Sequence, residues 1–548
     1  MRTSSYLPLA LLLITGCHEP AHQQVAYDII IRNGTVYDGL GNKPIVADVA
    51  IQHDTIAAIG DLLHAKGVKE INAEGYAVAP GFINMLSWAD RSLLMDGRSM
   101  SDIKQGVTLE VFGEGWSAAP VKRNLKEPVD SLWTTLDAYF SWMTKKGVST
   151  NVASLVGATT VRIYVLEHDN RAPTDYELEQ MKSLVKEAME DGALGLGASL
   201  IYAPADYAST EELIALASVA GKYGGIYATH MRSESDNIIA ALGETFRIAR
   251  EANVHAEIYH LKINHERNWN KIDTVLNKID SARHAGLSVG ANMYPYTASA
   301  TGLTARLPTW IQEGGAKAMR KRLKNPTTRA KVLKEMREGI PTRNSDPADV
   351  MMLGFRKDSL NELYRGKRLD EVAKMHGKDA DETAIDLILE DKSTIGAVYY
   401  LQSEQNVRKI IQLPYISFGS DGASMSDAKA FEDWGTHPRA YGTFARVLGK
   451  YVREEHLLTL EEAIRKLTSL PAGHLHLQRR GQLKPGYMAD VVVFDAEKIS
   501  DMATFDQSRQ YAEGVSYVFV NGTMVLDDGE HTNATPGRVV RGAGWKQP

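Results

Sequence analysis

The sequence predicts an α/β protein: a (β/α)8 TIM-like barrel, a discontinuous β-sandwich made from both ends of the chain, and a helical insertion before the last barrel strand. Three observations predict it. Eight short apolar runs alternate with helical stretches through the middle of the chain, which is the grammar of a parallel sheet. Short alternating strands with tight-turn signals occur at both ends. A long, charged, helix-rich stretch separates the seventh run from the eighth.

Taken in order, residues 1–16 read as a secretory leader. Arg2 supplies a positive charge, Leu7 to Ile14 an apolar stretch too short to span a bilayer, and Ile14-Thr15-Gly16-Cys17 a small-residue cleavage site. Residues 27–78 form the first part of the sandwich, with Asp28-Ile-Ile-Ile-Arg-Asn33-Gly34-Thr-Val-Tyr, Ala47-Asp-Val-Ala-Ile-Gln and Thr55-Ile-Ala-Ala-Ile-Gly as strands. Asn33-Gly34 is a hairpin signal, because a tight I′ turn needs positive φ at both central residues. The barrel occupies 79–482. Its runs are Ala79 to Met85, Val107 to Phe112, Val152 to Val156, Leu194 to Ala198, Ile226 to Thr229, Ala256 to Tyr259, Leu287 to Tyr294 and Ile416 to Gly419. A structureless loop spanning roughly 314–394 is improbable on length, so that stretch reads as an inserted lid or small domain; Ala397-Val-Tyr-Tyr-Leu has strand character without an assigned place. Residues 483–548, with Ala489-Asp-Val-Val-Val-Phe-Asp495 and Val515-Ser-Tyr-Val-Phe-Val520-Asn521-Gly522, complete the sandwich.

The chain has 548 residues, 44% hydrophobic and 24% charged, enough to bury a large core. Its 62 Lys and Arg against 68 Asp and Glu leave a charge of -6, so nothing marks a nucleic-acid or anionic-membrane footprint, and small molecules are the expected partners. Cys17 is the single cysteine and has no intrachain disulfide partner. Ile-Thr-Gly-Cys17 resembles the lipobox of bacterial lipoproteins, in which the cysteine is acylated. That resemblance implies a lipid-anchored protein of the bacterial cell envelope; with His18 rather than Asp next, it implies the outer membrane, facing the periplasm.

Catalytic groups of such barrels sit at the C-terminal ends of the strands. Here Gly225-Ile-Tyr-Ala-Thr-His230, Glu257-Ile-Tyr-His260-Leu-Lys262 and Ile416-Ser-Phe-Gly-Ser-Asp421-Gly422 each end an apolar run on a His or an Asp. Two histidines on successive strands plus an aspartate point to a metal-dependent hydrolase.

With Pro80-Gly-Phe-Ile, Gly192-Ala-Leu-Gly-Leu-Gly, Tyr202-Ala-Pro, Tyr227-Ala-Thr-His230-Met-Arg232-Ser-Glu234, Tyr294-Pro-Tyr296-Thr-Ala, His437-Pro-Arg439-Ala-Tyr-Gly and Pro536-Gly-Arg, the chain resembles the amidohydrolase superfamily, and within it the N-acyl-D-amino acid deacylases (D-aminoacylases). The resemblance implies one zinc per chain, with His230 and His260 as ligands. The family's third ligand is a cysteine in a Gly-Asn-Cys-Gly turn; this chain has Gly113-Glu114-Gly115-Trp116, and Glu114 is the residue there able to ligate. The family's second metal uses a His-x-His where Leu86 and Trp88 stand, so that second site is expected to be absent, with Trp88 filling the space. Asp421 is the expected general base. Lys262, Tyr202 and Tyr294, with Arg232 and Arg439, are the expected holders of a substrate carboxylate, while His437 takes a structural role and Tyr296 and Trp116 the pocket wall. Asn292 and Ala158 replace more polar or ionisable family residues, which suggests a remodelled pocket.

The expected function is therefore zinc-dependent hydrolysis of N-acyl-D-amino acids or related D-configured amides. The alternatives are a dipeptidase or cyclic-amide hydrolase on the same scaffold, or an inactive binding lipoprotein.

Overall fold

The computed structural model describes residues 26–122, 132–338, 345–432 and 434–547. Cys17 and the expected leader at 1–16 lie outside the described residues, and among the described residues no helix is long and apolar enough to cross a membrane.

Each apolar run contains a strand. Phe82–Asn84, Val107–Phe112 and Asn151–Ser154 form a parallel sheet of three. Val156–Gly157, Gly195–Ser199, Ile226–His230, Ala256–Ile258, Val289–Met293 and Ile416–Phe418 form a parallel sheet of six, in chain order. The third run is thus split at Leu155 between the two. The sheets meet at both edges: the Met85 N–H donates to Phe418 O (3.2 Å), and the Leu194 N–H to Ser154 O (2.9 Å). All six strand residues of Val107–Phe112 and all five of Ile226–His230 are buried, as expected of parallel strands covered on both faces.

Helices between the strands bury one stripe each. In Ile238–Ala252 the buried residues Ile238, Ala241, Leu242, Thr245, Phe246, Ile248, Ala249 and Ala252 recur at helical spacing, and Asn253 ends the helix in the left-handed region. Thr174 and Glu177 form a capping box at the start of Asp175–Glu190.

The two termini share one sheet of nine strands, joined where Ala77–Pro80 pairs antiparallel with Val491–Phe494. The strands expected in the sandwich all belong to this sheet, and the expected hairpin turn at Asn33-Gly34 is instead a bulge within Ala26–Val36, between Ile31 and Gly34. The sheet's C-terminal boundary also differs from the expected 483–548. The tail leaves the sheet, and the Val540 N–H donates to Val152 O while the Val152 N–H donates to Arg538 O, so the end of the chain runs beside a parallel strand.

The insertion is wider than 314–394. It has its own apolar core from Leu303 to Leu401 and an antiparallel sheet in the order Ser299–Gly302, Gly396–Tyr399, Val350–Gly354. The unplaced Ala397–Tyr399 segment is its central strand. The boundary was hidden because Ser299–Gly302 is short and half-buried along its length, with no alternation to read.

Candidate active site

The chemistry gathers at the C-terminal ends of the parallel strands. His230 is the last residue of its strand; Glu114 and His260 lie two residues, Asp421 three and Trp88 four beyond theirs. The backbone there is strained: His260 has φ 36° and Asp421 φ 47°, a left-handed region non-glycine residues seldom adopt. Surrounding hydrogen bonds hold it, from the His260 N–H to Asn292 Oδ1 and from the Asp421 N–H to Leu86 O, each 2.9 Å. Strain of this kind concentrates at functional residues. Glu114 sits between Gly113 (φ 104°) and Gly115 (φ 75°); a Cβ on Gly113 would come 2.4 Å from Leu155 O, so its turn can press onto the neighbouring strand only without a side chain there.

Glu114 Oε1 is 3.0 Å from His230 Nδ1 and 2.9 Å from His260 Nε2. These three ligand atoms lie within 4.8 Å of one another. Two ligands about 2.0–2.2 Å from a tetrahedral zinc stand roughly 3.4 Å apart, so the set fits a metal after a small expansion. The outer contacts agree. His260 Nδ1 is 2.9 Å from Glu234 Oε1, the carboxylate–histidine arrangement that leaves Nε2 free to ligate. Burial pushes the Glu114 carboxyl up, but the two imidazoles outweigh it and hold it down to about 2, so it is an anion. For His260, burial and Lys262 push down while Glu234 and Glu114 raise it to about 9. Burial pushes the Glu234 carboxyl up as well, and Lys262 with the two histidines brings it below the usual carboxylate range.

Asp421 stands apart from the three. Its Oδ2 is 2.7 Å from Arg439 Nη1, and its Oδ1 accepts from Trp88 Nε1 at 2.9 Å. The same indole N–H lies 3.0 Å from Glu114 Oε2, so Trp88 bridges two carboxylates. Burial raises the Asp421 pKa, opposed by Arg439. Leu86 is fully buried among Ile83, Met85 and Leu109. Trp88 is more than filler: its N–H is a polar part of the site.

These groups line a cavity of about 690 Å³, roofed by the insertion through residues such as Thr301, Arg306 and Tyr399. Lys262 Nζ is 2.6 Å from Glu234 Oε1 and 5.6 Å from the Tyr294 ring centre; Arg439 stacks on that ring at 4.5 Å. The Arg439 Nε is buried and makes no hydrogen bond. Tyr202 packs edge-on against His230, 5.3 Å between ring centres, with Trp116 beyond it at 6.2 Å.

Arg232 does not join them. Its guanidinium is tied to Glu244 Oε1 (2.9 Å) and to the carbonyls of Asp206 and Ala208, outside this cavity, where it braces loops. His437 Nδ1 accepts from the Arg439 N–H and Nε2 donates to Ala298 O, so both nitrogens are used structurally; burial and Arg439 keep the ring neutral. Asn292 supports His260, and Ala158 opens the helix Ala158–Leu166. Sequence reasoning missed Glu234 as a functional residue. Its signal was the Thr-His230-Met-Arg-Ser-Glu234 motif itself, but the partners that define it come from the next strand.

The amidohydrolase family model matches residues 69–526. D-aminoacylase of Alcaligenes xylosoxydans xylosoxydans is 35% identical over 523 residues, 94% of this chain and 97% of the relative. N-acyl-D-aspartate deacylase of the same organism is 33% identical over 530 residues, 94% of this chain and 95% of the relative. The solved structure of N-acyl-D-glutamate deacylase from Bordetella bronchiseptica, complexed with zinc and a phosphonate inhibitor, superposes with a TM-score of 0.79 at 30% identity, covering 94% of this chain and all of that one. With an acid, two histidines and a second carboxylate at the ends of its parallel strands, the chain belongs to the amidohydrolase family, in its N-acyl-D-amino acid deacylase branch, and is a hydrolase of carbon–nitrogen bonds other than peptide bonds.

Proposed function

We propose that this chain hydrolyses the amide bond of N-acyl-D-amino acids with one zinc in the cavity, held by Glu114, His230 and His260. The two parallel sheets, read as one closed (β/α)8 barrel, are its frame. The observation that carries the reading is the convergence of Glu114 Oε1 on two imidazole nitrogens, 3.0 and 2.9 Å away, beside a carboxylate, Asp421, outside that ligand set. The activities named for the relatives and the zinc of the glutamate deacylase support it.

Bound zinc supplies the Lewis acidity that polarises the acyl carbonyl and acidifies a water. Asp421 takes the proton of the attacking water and returns it to the amide nitrogen, so that the amine leaves neutral. Trp88 and Arg439 hold one carboxylate oxygen each, which fixes the plane in which Asp421 accepts and returns that proton. Lys262 and Arg439, with Tyr202 and Tyr294, hold the substrate's carboxylate. Burial alone would discharge Lys262; Glu234 reverses this and raises its pKa, so the ammonium stays charged in the cavity.

A panel of N-acyl-D- and N-acyl-L-amino acids with D-containing dipeptides and cyclic amides tests the substrate class. The N-acyl-D compounds are expected to be turned over; turnover confined to dipeptides or cyclic amides would replace the reading with one of those activities. Lys262→Met is expected to raise KM about 10- to 100-fold with a smaller change in kcat. An unchanged KM for the carboxylate substrate would remove Lys262 from binding. Trp88→Phe deletes one donor to two anions and is expected to lower kcat/KM about 10- to 100-fold, from the 1.5–3 kcal/mol of a hydrogen bond to a charged group. Steady-state kinetics at wild-type zinc content check this, and full activity would reduce Trp88 to a space-filling residue.

We also propose, on Ile14-Thr-Gly-Cys17, that Cys17 carries the lipid anchor. Cys17→Ser should abolish incorporation of labelled fatty acid; labelling that persists would exclude this cysteine.

A further inference from the structure

We propose a second transition-metal site, of the zinc type, at the opposite end of the parallel strands from the catalytic cavity, built by His255, Glu257 and His474. His255 immediately precedes the strand Ala256–Ile258, Glu257 lies within it, and His474 ends the helix Ser469–His474. One oxygen, Glu257 Oε2, is 3.0 Å from His474 Nδ1 and 3.5 Å from His255 Nε2, and the three atoms lie within 4.8 Å of one another. Those spacings bracket the roughly 3.4 Å between two ligands of a tetrahedral zinc.

Two outer polar atoms of this cluster are engaged elsewhere, so that His255 Nε2 and His474 Nδ1 both turn toward Glu257 Oε2. His255 Nδ1 meets Ser288 Oγ at 2.8 Å, which orients the ring and leaves Nε2 facing Glu257. Glu257 Oε1 accepts from Asn292 Nδ2 at 2.9 Å, leaving Oε2. His255 Nε2 contacts Glu257 Oε2 at 3.5 Å, and the buried His474 Nδ1 lies 3.0 Å from the same oxygen without hydrogen-bond alignment. A fully buried carboxylate oxygen facing two imidazole nitrogens, one of them without an aligned hydrogen bond, is an arrangement that a bound cation satisfies. Gly290 lets His474 and Glu257 meet over its backbone: a Cβ there would fall 2.4 Å from His474 Cε1 and 2.6 Å from Glu257 Oε2. His474 keeps 11% of its side chain exposed, and the exposed His476 ring lies 6.3 Å from that of His255, so the fourth position has both an entrance and a nearby imidazole.

The other account of the cluster is an imidazolium–carboxylate pair with no metal, and zinc uptake separates the two. Chelator-stripped full-length protein, reloaded with zinc and desalted, is expected to retain about two zinc ions per chain, His474→Ala about one with hydrolysis intact, and Glu114→Ala about one with hydrolysis lost. Cobalt gives a second readout: the visible ligand-field absorption of cobalt-loaded Glu114→Ala should disappear in Glu114→Ala/His255→Gln. Equal zinc in wild type and His474→Ala, or a cobalt spectrum indifferent to His255, would overturn the proposal. Because metal content is read separately from turnover, failure of the deacylase reading leaves this outcome distinguishable.

Discussion

Glu114→Ala is expected to lower kcat/KM for an N-acetyl-D-amino acid about 10³- to 10⁴-fold, the equivalent of the several kcal/mol that a Lewis acid contributes to stabilising charge in the transition state. One oxygen of Glu114 faces both imidazoles at 3.0 and 2.9 Å, and removing the side chain leaves two imidazole nitrogens with no anion between them. Two imidazoles alone form a weak zinc site, because structural and catalytic zinc take three or more protein ligands. Glu114→Cys sharpens the expectation. A thiolate binds zinc at about 2.3 Å, and cysteine is the ligand at this turn in the family the sequence resembles, so this variant should recover zinc and much of the turnover that alanine loses. Zinc content and steady-state kinetics of the two variants, measured side by side, check the prediction. Wild-type turnover in Glu114→Ala would remove Glu114 from the site.

Asp421→Asn is the second large effect. The amide is nearly isosteric and can still accept from Trp88, but it cannot take a proton from water, so kcat should fall about 10²- to 10⁴-fold with zinc retained and KM little changed. Asp421 is not among the three clustered ligand atoms, which is why base and metal functions should separate in this variant. Loss of zinc along with turnover would instead make Asp421 a ligand, and retained turnover would exclude it as the base.

The sequence made the two histidines and Asp421 legible because each closes an apolar run, and a strand end in a parallel sheet faces the cavity whatever its neighbours are. Glu114 was legible by chemistry, as the residue able to ligate between two turn-forming glycines. Trp88 was misread as bulk. Its donor role depends on Glu114 and Asp421, 26 and 333 residues away in the chain, and no local pattern records such a convergence. Glu234 was overlooked for the same reason, since what defines it is Lys262 and His260, just beyond the following strand. Arg232 shows the converse error: a cation inside a family motif was assigned to substrate, while Glu244 and two carbonyls already occupy its guanidinium. The insertion's extent was obscured by Ser299–Gly302, a strand too short to carry periodicity. The terminal segments share one sheet of nine strands; of their two Asn-Gly pairs, Asn521-Gly522 joins paired strands, whereas Asn33-Gly34 lies within Ala26–Val36, where the register shifts, so the dipeptide alone did not distinguish a turn from a bulge.

The central claim is that one zinc in the cavity, without a second metal beside it, is sufficient for turnover. Zinc titration of chelator-stripped His474→Ala, which removes the proposed distal site from the count, tests it most directly, with hydrolysis of an N-acetyl-D-amino acid as the readout. Activity should be near zero in the stripped protein, rise linearly and reach its plateau at about one zinc per chain. A stripped protein that remains active, or a plateau reached only at about two, would contradict the account.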